Sequence, residues 1–190
     1  MLEDWLQALL DTPGLTAITD RDEARRFLLE DSLRGLDFVR RFDGPIVDVG
    51  SGGGVPGIPL AFSLPGREVT LLEATGRKCD FLRVWAPPNA EVVHGRAEEQ
   101  ESDAFGVALA KALATPPVAA EWCLPLVRPG GAVLLWVGPT ADAAGVARVA
   151  GMIGGELAET PPGFMLLRKL EPTPAGFPRR PGVARKRPLA

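Results

Sequence analysis

The chain has 190 residues, a length that accommodates one domain with a sizeable apolar core. Its formal net charge of −3 argues against a general nucleic-acid-binding protein, and no run of about 18 apolar residues could cross a membrane. Residues 1–4 include two acids and lack the pattern of a signal peptide, so we expect a cytoplasmic protein with no membrane partner. The single histidine and the two isolated cysteines cannot form a zinc site, so we expect no metal.

Residues 1–45 are predicted to be helical. Apolar residues recur at helical spacing in the first ten positions, and a second helix begins after Asp20, which forms a capping pair with Glu23. Gly44 and Pro45 close the segment. We therefore expect a layer of N-terminal helices in front of the first strand.

The most informative stretch, residues 46–54, reads IVDVGSGGG. The apolar run and the glycines after it predict a buried strand, a tight turn and a helix beginning near Val55. The dinucleotide fingerprint G-x-G-x-x-G does not fit, because Val55 occupies the sixth position counted from Gly50. An acid-x-G-x-G-x-G pattern from Asp48 to Gly54 fits instead. It resembles the first motif of class I S-adenosylmethionine (SAM) methyltransferases.

A second strand is predicted over residues 68–73 and ends in Glu73. In a parallel α/β sheet, the carboxyl ends of the strands face the cofactor crevice. A carboxylate at that position can accept hydrogen bonds from two ribose hydroxyl groups. Glu73 is therefore a candidate ribose ligand.

Further strands are predicted over residues 91–94, 105–110 and 132–137. The last two strands, residues 156–158 and 164–168, would pair as an antiparallel hairpin across a Pro-Pro-Gly turn. Lys111 follows the fourth strand, beside the expected position of the methyl group, and is a candidate contact for cofactor and substrate. The fold class predicted is α/β, a Rossmann-like class I methyltransferase fold with a mostly parallel seven-stranded sheet.

Residues 168–190 contain seven basic residues and one acidic residue, on a chain that is otherwise acidic. Proline, glycine and arginine dominate from residue 171, so we expect a tail that is extended over the surface or disordered. The predicted organisation is a single methyltransferase domain. It consists of an N-terminal helical segment (1–45), a SAM-binding core (46–170) and a basic C-terminal tail (171–190).

Residues 47–60, VDVGSGGGVPGIPL, resemble the RsmG (GidB) family, bacterial methyltransferases that act on N7 of a guanine in 16S ribosomal RNA. The Pro-Gly-x-Pro-Leu extension at residues 56–60 is distinctive, and residues 76–82, 95–98 and 172–189 agree with the family as well. The resemblance implies SAM as cofactor and 16S rRNA or the small ribosomal subunit as partner. We expect the protein to be a monomer.

The resemblance also implies roles for individual residues. The glycine turn would hold the methionine part of SAM, Glu73 the ribose, and Ala97 with Glu98 the adenine. The cofactor-binding set implied is Asp48, Gly50, Ser51, Gly52, Gly54, Pro56, Glu73, Ala74, Arg96, Ala97, Glu98 and Lys111. The residues expected near RNA are Arg179, Arg180 and Lys186. Guanine N7 carries a free lone pair, so no catalytic base is required.

Three positions depart from the family pattern on the side expected to face RNA. Leu28 replaces a frequent histidine, Lys111 replaces an arginine, and Val137 replaces a lysine. An Arg-to-Lys change loses the planar bidentate fork. The departures leave open a related methyltransferase with another acceptor, or a protein that binds SAM or RNA without catalysis. A NAD-dependent reductase is the remaining alternative.

Overall fold

The computed structural model describes residues 1–190 and contains one seven-stranded sheet. Its strands are β1 (Ile46–Val49), β2 (Val69–Glu73), β3 (Ala90–His94), β4 (Phe105–Lys111), β5 (Val127–Trp136), β6 (Gly155–Glu159) and β7 (Phe164–Lys169). The order across the sheet is β3-β2-β1-β4-β5-β7-β6. Strands β1 to β5 are parallel, and β7 runs antiparallel to both β5 and β6. The predicted sheet and its closing hairpin are confirmed.

Nine α-helices and three further helical segments surround the sheet. The α-helices are α1 (Leu2–Asp11), α2 (Arg21–Ala24), α3 (Asp31–Leu33), α4 (Leu36–Val39), α5 (Gly57–Ser63), α6 (Gly76–Trp85), α7 (Pro116–Cys123), α8 (Ala143–Met152) and α9 (Val183–Lys186). A π-helical segment, Arg25–Glu30, joins α2 to α3, and 3₁₀ turns span Ala97–Glu99 and Leu124–Leu126. None of the helices has the length and apolar character needed to cross a membrane.

Strand β1 lies in the middle of the sheet and is buried on both faces. Successive side chains of a strand point to opposite faces. Val47 and Val49 therefore join the apolar cluster under α7 and α8, whereas Ile46 joins the cluster under α1, α5 and α6. Chain order along the sheet reverses between β1 and β4, and such a switch point opens a crevice at the carboxyl ends of the strands.

The helix after the glycine turn begins at Gly57, two residues later than predicted. Val55 and Pro56 still belong to the turn that starts at Gly52, where φ is +58°. The predicted N-terminal cap is present, because the Asp20 carboxylate accepts a hydrogen bond from the Glu23 backbone N–H at 2.8 Å.

The C-terminal strap, residues 171–190, follows an irregular path over the surface apart from the short helix α9, which is the first of the two alternatives that the sequence left open. Thr173 Oγ1 lies 2.8 Å from Asp103 Oδ1, Arg179 pairs with Glu121, and Ala184 of α9 is 1% exposed. These partners lie far away in the chain, so the composition of the strap alone does not reveal them.

Candidate cofactor and acceptor site

The turn after β1 is built so that its backbone passes close to neighbouring side chains. The N–H groups of Gly50 and Ser51 donate to the Leu72 carbonyl at 2.8 and 3.1 Å, which ties the turn to β2. Gly50 has φ +71°, and a Cβ there would collide with the Leu113 side chain. The position therefore requires glycine for its conformation and for its space.

Helix α1 braces the same turn from outside. The indole Nε1 of Trp5 donates to the Gly53 carbonyl at 2.9 Å, and the Trp5 side chain is fully buried. The sequence analysis did not identify this contact, because it joins residues 48 positions apart.

Asp48 lies beneath the turn and does not line the cofactor cavity, and its predicted role in binding SAM stays a prediction. It is 1% exposed, and its Oδ2 accepts from the Gly57 N–H at 3.0 Å, where α5 begins. Burial raises the pKa of the Asp48 carboxyl to about 7. The side chain thus joins the end of β1 to the start of α5.

Glu73 takes the position predicted for it, at the carboxyl end of β2. Its two oxygens accept from the Gly52 N–H at 2.9 Å and from the Thr75 N–H at 2.8 Å. These two bonds fix the plane of the carboxylate. A carboxylate offers about four lone-pair directions, so two remain for an incoming diol.

A cavity of about 360 Å³ opens beside Glu73, at the carboxyl ends of β1, β2 and β4. The residues lining it are Val49, Gly50, Leu72, Glu73, Ala74, Thr75, Lys78, Gly95, Arg96, Ala97, Glu98, Ala112, Leu113, Trp122, Gly182 and Arg185. The volume lies in the range of small-molecule sites. Apolar walls for an adenine and a fixed carboxylate for a ribose make the cavity a fit for the adenosine part of SAM.

Half of the predicted cofactor residues line this cavity and half do not. Those that line it are Gly50, Glu73, Ala74, Arg96, Ala97 and Glu98, and those that do not are Asp48, Ser51, Gly52, Gly54, Pro56 and Lys111. The sequence analysis missed two wall elements, the loop that follows β4 and the C-terminal strap. Trp122, near the end of α7, is read from the sequence as an apolar helix residue and gives no signal of a site.

Lys111 points away from the cavity and towards the N-terminal helices. Its Nζ donates to the Phe27 carbonyl at 2.6 Å and pairs with the Asp31 carboxylate. Burial lowers the pKa of Lys111, and the nearby Asp31 opposes that effect. Lys111 is thus engaged by the N-terminal helices, and its predicted contacts with cofactor and substrate stay predictions. Ala112, the next residue, lines the cavity with φ +53°, a left-handed conformation that is uncommon outside glycine.

The residues predicted to lie near RNA divide into two groups. Arg180 and Lys186 are exposed and belong to no ion pair. Arg179 faces inward, where its Nε and Nη2 reach the two oxygens of Glu121, a carboxylate that is 3% exposed. The structure therefore makes Arg179 an anchor of the strap instead of a free phosphate ligand. No group of three His, Cys, Asp or Glu residues is placed to hold a metal ion.

Comparison with known proteins identifies relatives over most of the chain. Residues 2–148 match the model of the GidB family, described as rRNA small subunit methyltransferase G. A ribosomal RNA small subunit methyltransferase G of Synechococcus sp. (strain JA-3-3Ab) is 36% identical, with 94% of this chain and 79% of that protein covered. The protein of the same name from Chloroflexus aggregans is also 36% identical, with 94% and 84% covered.

Solved structures show the same fold at low identity. A 1,6-didemethyltoxoflavin-N1-methyltransferase of Burkholderia thailandensis, solved with S-adenosylhomocysteine, has a TM-score of 0.60 and 13% identity, covering 90% of this chain and 88% of its own. The T. thermophilus 16S rRNA N2 G1207 methyltransferase RsmC, solved with AdoMet and guanosine, has a TM-score of 0.51 and 16% identity, covering 74% and 40%.

These relatives confirm the predicted class I methyltransferase fold and the predicted cofactor, SAM. The family match covers more than half of the chain, and curated relatives above 30% identity cover nearly all of it. The chain therefore belongs to the GidB family of SAM-dependent ribosomal RNA small subunit methyltransferases.

Proposed function

We propose that this protein transfers the methyl group of SAM to N7 of a guanine in 16S ribosomal RNA. The observation that carries the proposal is the position of the cofactor cavity next to exposed cations. Gly182 and Arg185 line the cavity, and Arg180 and Lys186, which are close to them in the chain, are exposed. A phosphate backbone bound by these cations would lie near the cofactor.

The residues around the cavity bind and orient the two reactants. Glu73 would accept from the ribose hydroxyls with the lone pairs that the Gly52 and Thr75 N–H groups leave free. Ala97 and Glu98 would lie against the adenine, and Gly50 would let the methionine part approach the backbone. Bound SAM supplies an electrophilic methyl group on its sulfonium sulfur.

The acceptor requires alignment and no proton transfer before attack. Guanine N7 has a free lone pair in the plane of the base and carries no proton. A catalytic contribution therefore comes from holding N7 in line with the methyl carbon and the sulfur, with the reacting atoms about 3–3.5 Å apart. Accordingly, the proposal assigns no general base.

RNA approach depends on the basic strap, because the body of the protein is acidic. Of the predicted RNA-facing residues, Arg180 and Lys186 have free side chains for phosphate, whereas Arg179 is paired with Glu121. The small ribosomal subunit as substrate, a monomeric state and a cytoplasmic location belong to this proposal.

The experiment is transfer of labelled methyl from SAM to small ribosomal subunits that lack the modification. Mass spectrometry of the nucleosides should find the label in N7-methylguanosine. Label in another nucleoside would exclude the N7 assignment. No label in RNA, with SAM binding measured by calorimetry, would exclude RNA methylation altogether.

One observation favours a second candidate, methylation of a different acceptor. Lys111 is engaged by Asp31 and the Phe27 carbonyl, so it is not free for a phosphate or a base. Val137 is apolar at a position where the family resemblance implies a lysine, and its side chain packs against the core. Methylation of a small molecule by a SAM-binding protein that leaves ribosomal RNA unlabelled would support this alternative.

A further inference from the structure

The C-terminal strap forms part of the wall of the cofactor cavity. Gly182 and Arg185 line the cavity together with Ala97 and Glu98. The Gly182 N–H donates to Glu98 Oε1 at 3.1 Å, which joins the strap directly to the loop after β3. A tail that only bound RNA would not need to line the cofactor cavity.

The strap is held in place by contacts that are independent of RNA. Arg179 pairs with the buried carboxylate of Glu121 on α7, and the Thr173 N–H and hydroxyl both donate to Asp103. Ala184 of α9 is 1% exposed. The wall that the strap contributes is therefore a fixed part of the folded protein.

Arg185 stands at the cavity with its donors largely unused. Its Cζ lies 5.3 Å from the centroid of the Trp122 ring, and its Nη2 lies 3.4 Å from the Leu113 carbonyl, a long hydrogen bond. Both of these neighbours line the cavity, and no carboxylate pairs with Arg185. The guanidinium thus has two neighbours on the cavity wall, and Arg185 is otherwise exposed, so most of its donors are left for a ligand.

The chemistry of a guanidinium suits the adenosine end of SAM. A guanidinium is planar, it stacks on aromatic faces, and it donates to ring nitrogens and hydroxyls but cannot accept. Adenine offers a π-face and several acceptor nitrogens. The hydrogen bond from Gly182 to Glu98 places α9 on the side of the cavity that the proposed function assigns to adenine.

We infer that Arg185 is a cofactor-binding residue that closes the adenine side of the cavity together with Trp122. The strap then has two faces with two tasks. Arg185 contacts the cofactor from the inner face, and the outer face carries the cations that meet RNA. This inference rests on the proposed function for the assignment of the adenine side.

The test is binding of S-adenosylhomocysteine, measured by isothermal titration calorimetry on the full chain without RNA. Arg185→Ala should weaken binding about tenfold, since it removes a stacked, partly desolvated cation and its donors. Arg185→Lys, which keeps the charge but loses the planar fork, should weaken binding about threefold. Arg187→Ala is the matched control, because Arg187 is exposed in the same segment and does not line the cavity, and should bind as the wild type does.

Thermal unfolding of the ligand-free variants separates a binding defect from a folding defect. Equal midpoints, with binding weakened by the two Arg185 variants and unchanged by Arg187→Ala, support the inference. Binding by both Arg185 variants within about twofold of wild type overturns it, whether or not the midpoints shift. Failure of the wild type to bind S-adenosylhomocysteine would overturn the proposed function itself, and is a separate result.

Discussion

The turn after β1 and the C-terminal strap both shape the cofactor cavity, but they are specified in different ways. The turn depends on backbone conformations at neighbouring positions, such as φ +71° at Gly50 and +58° at Gly52. The strap depends on pairs of side chains far apart in the chain, such as Arg179 with Glu121 and Thr173 with Asp103. A local requirement is visible in the sequence, whereas a long-range pair becomes visible only in the fold.

The two regions should therefore respond differently to substitution. A change in the turn should alter the cavity with a moderate loss of stability, because its strain is local. A change at an anchor of the strap should cost more, because it leaves a buried charge without its partner.

Arg179→Ala should have the largest effect on stability, about 3 kcal/mol, because the Glu121 carboxylate would remain buried and unpaired. Chemical denaturation of wild type and variant measures the loss. Arg180→Ala, an exposed neighbour in the same strap, should cost less than about 0.5 kcal/mol. The double variant Glu121→Gln, Arg179→Ala should regain part of the loss. Equal stability of Arg179→Ala and Arg180→Ala would show that Arg179 does not anchor the strap.

Glu73→Gln should weaken SAM binding by about tenfold to a hundredfold, the loss of a charged hydrogen bond to the ribose. The new amide group would also oppose the N–H of Gly52 or Thr75. Glu68→Gln is the control, since Glu68 is exposed and precedes the opposite end of β2. Calorimetry with SAM gives both affinities, and an unchanged Kd for Glu73→Gln would remove Glu73 from the site.

Asp48 should make stability fall as the pH rises. The folded state holds the Asp48 proton up to a pKa of about 7, whereas the unfolded chain releases it near 3.8. Between these values the folded state binds more protons, so the free energy of unfolding decreases by up to about 1.4 kcal/mol per pH unit. Asp48 adds no pH dependence below about pH 4 or above about pH 7, because it then has the same charge in the folded and unfolded states.

Asp48→Asn is the comparison for that profile, because it keeps the shape and cannot titrate. The stability of the wild type minus that of the variant should decrease between pH 4 and pH 7, as measured by denaturation at each pH. If the stabilities of wild type and Asp48→Asn change in parallel between pH 4 and pH 7, Asp48 is ionised over this whole range. A positive charge near Asp48 would then have to stabilise the carboxylate.

Much of the fold and part of the site follow from the sequence alone. The sequence predicts the strands from the spacing of apolar residues, and the turn from the spacing of glycines. Both are local signals, and the predicted end of the second strand in turn gives the position of Glu73. Lys111 was predicted to face the substrate from its position at the end of β4, and the side chain instead turns to Asp31, 80 residues earlier. The ordered strap and the place of Trp122 in the cavity depend on tertiary packing, which residue composition does not encode.

Gly50→Ala tests the turn itself. The left-handed φ of +71° costs an alanine about 1–2 kcal/mol, and its Cβ would displace Leu113 from the cavity wall. We expect lower stability by about that amount, together with weaker SAM binding. Gly66→Ala, where a Cβ would meet nothing within 4 Å, should leave both unchanged. If Gly50→Ala binds SAM as the wild type does, Leu113 has no part in the cofactor site.

The smallest expected effect concerns the exposed cations of the strap. Arg180→Ala and Lys186→Ala should each lower the slope of log affinity for RNA against log salt by about 0.7 to 0.9, the contribution of one phosphate contact. Arg83→Ala on α6 is the control, since Arg83 is already paired with Asp80 at 2.8 Å and should leave the slope unchanged. SAM affinity of the two strap variants should stay at the wild-type value, because neither side chain lines the cavity. If Arg180→Ala or Lys186→Ala changes the SAM affinity and leaves the salt slope unchanged, the strap does not have an inner face for the cofactor and an outer face for RNA.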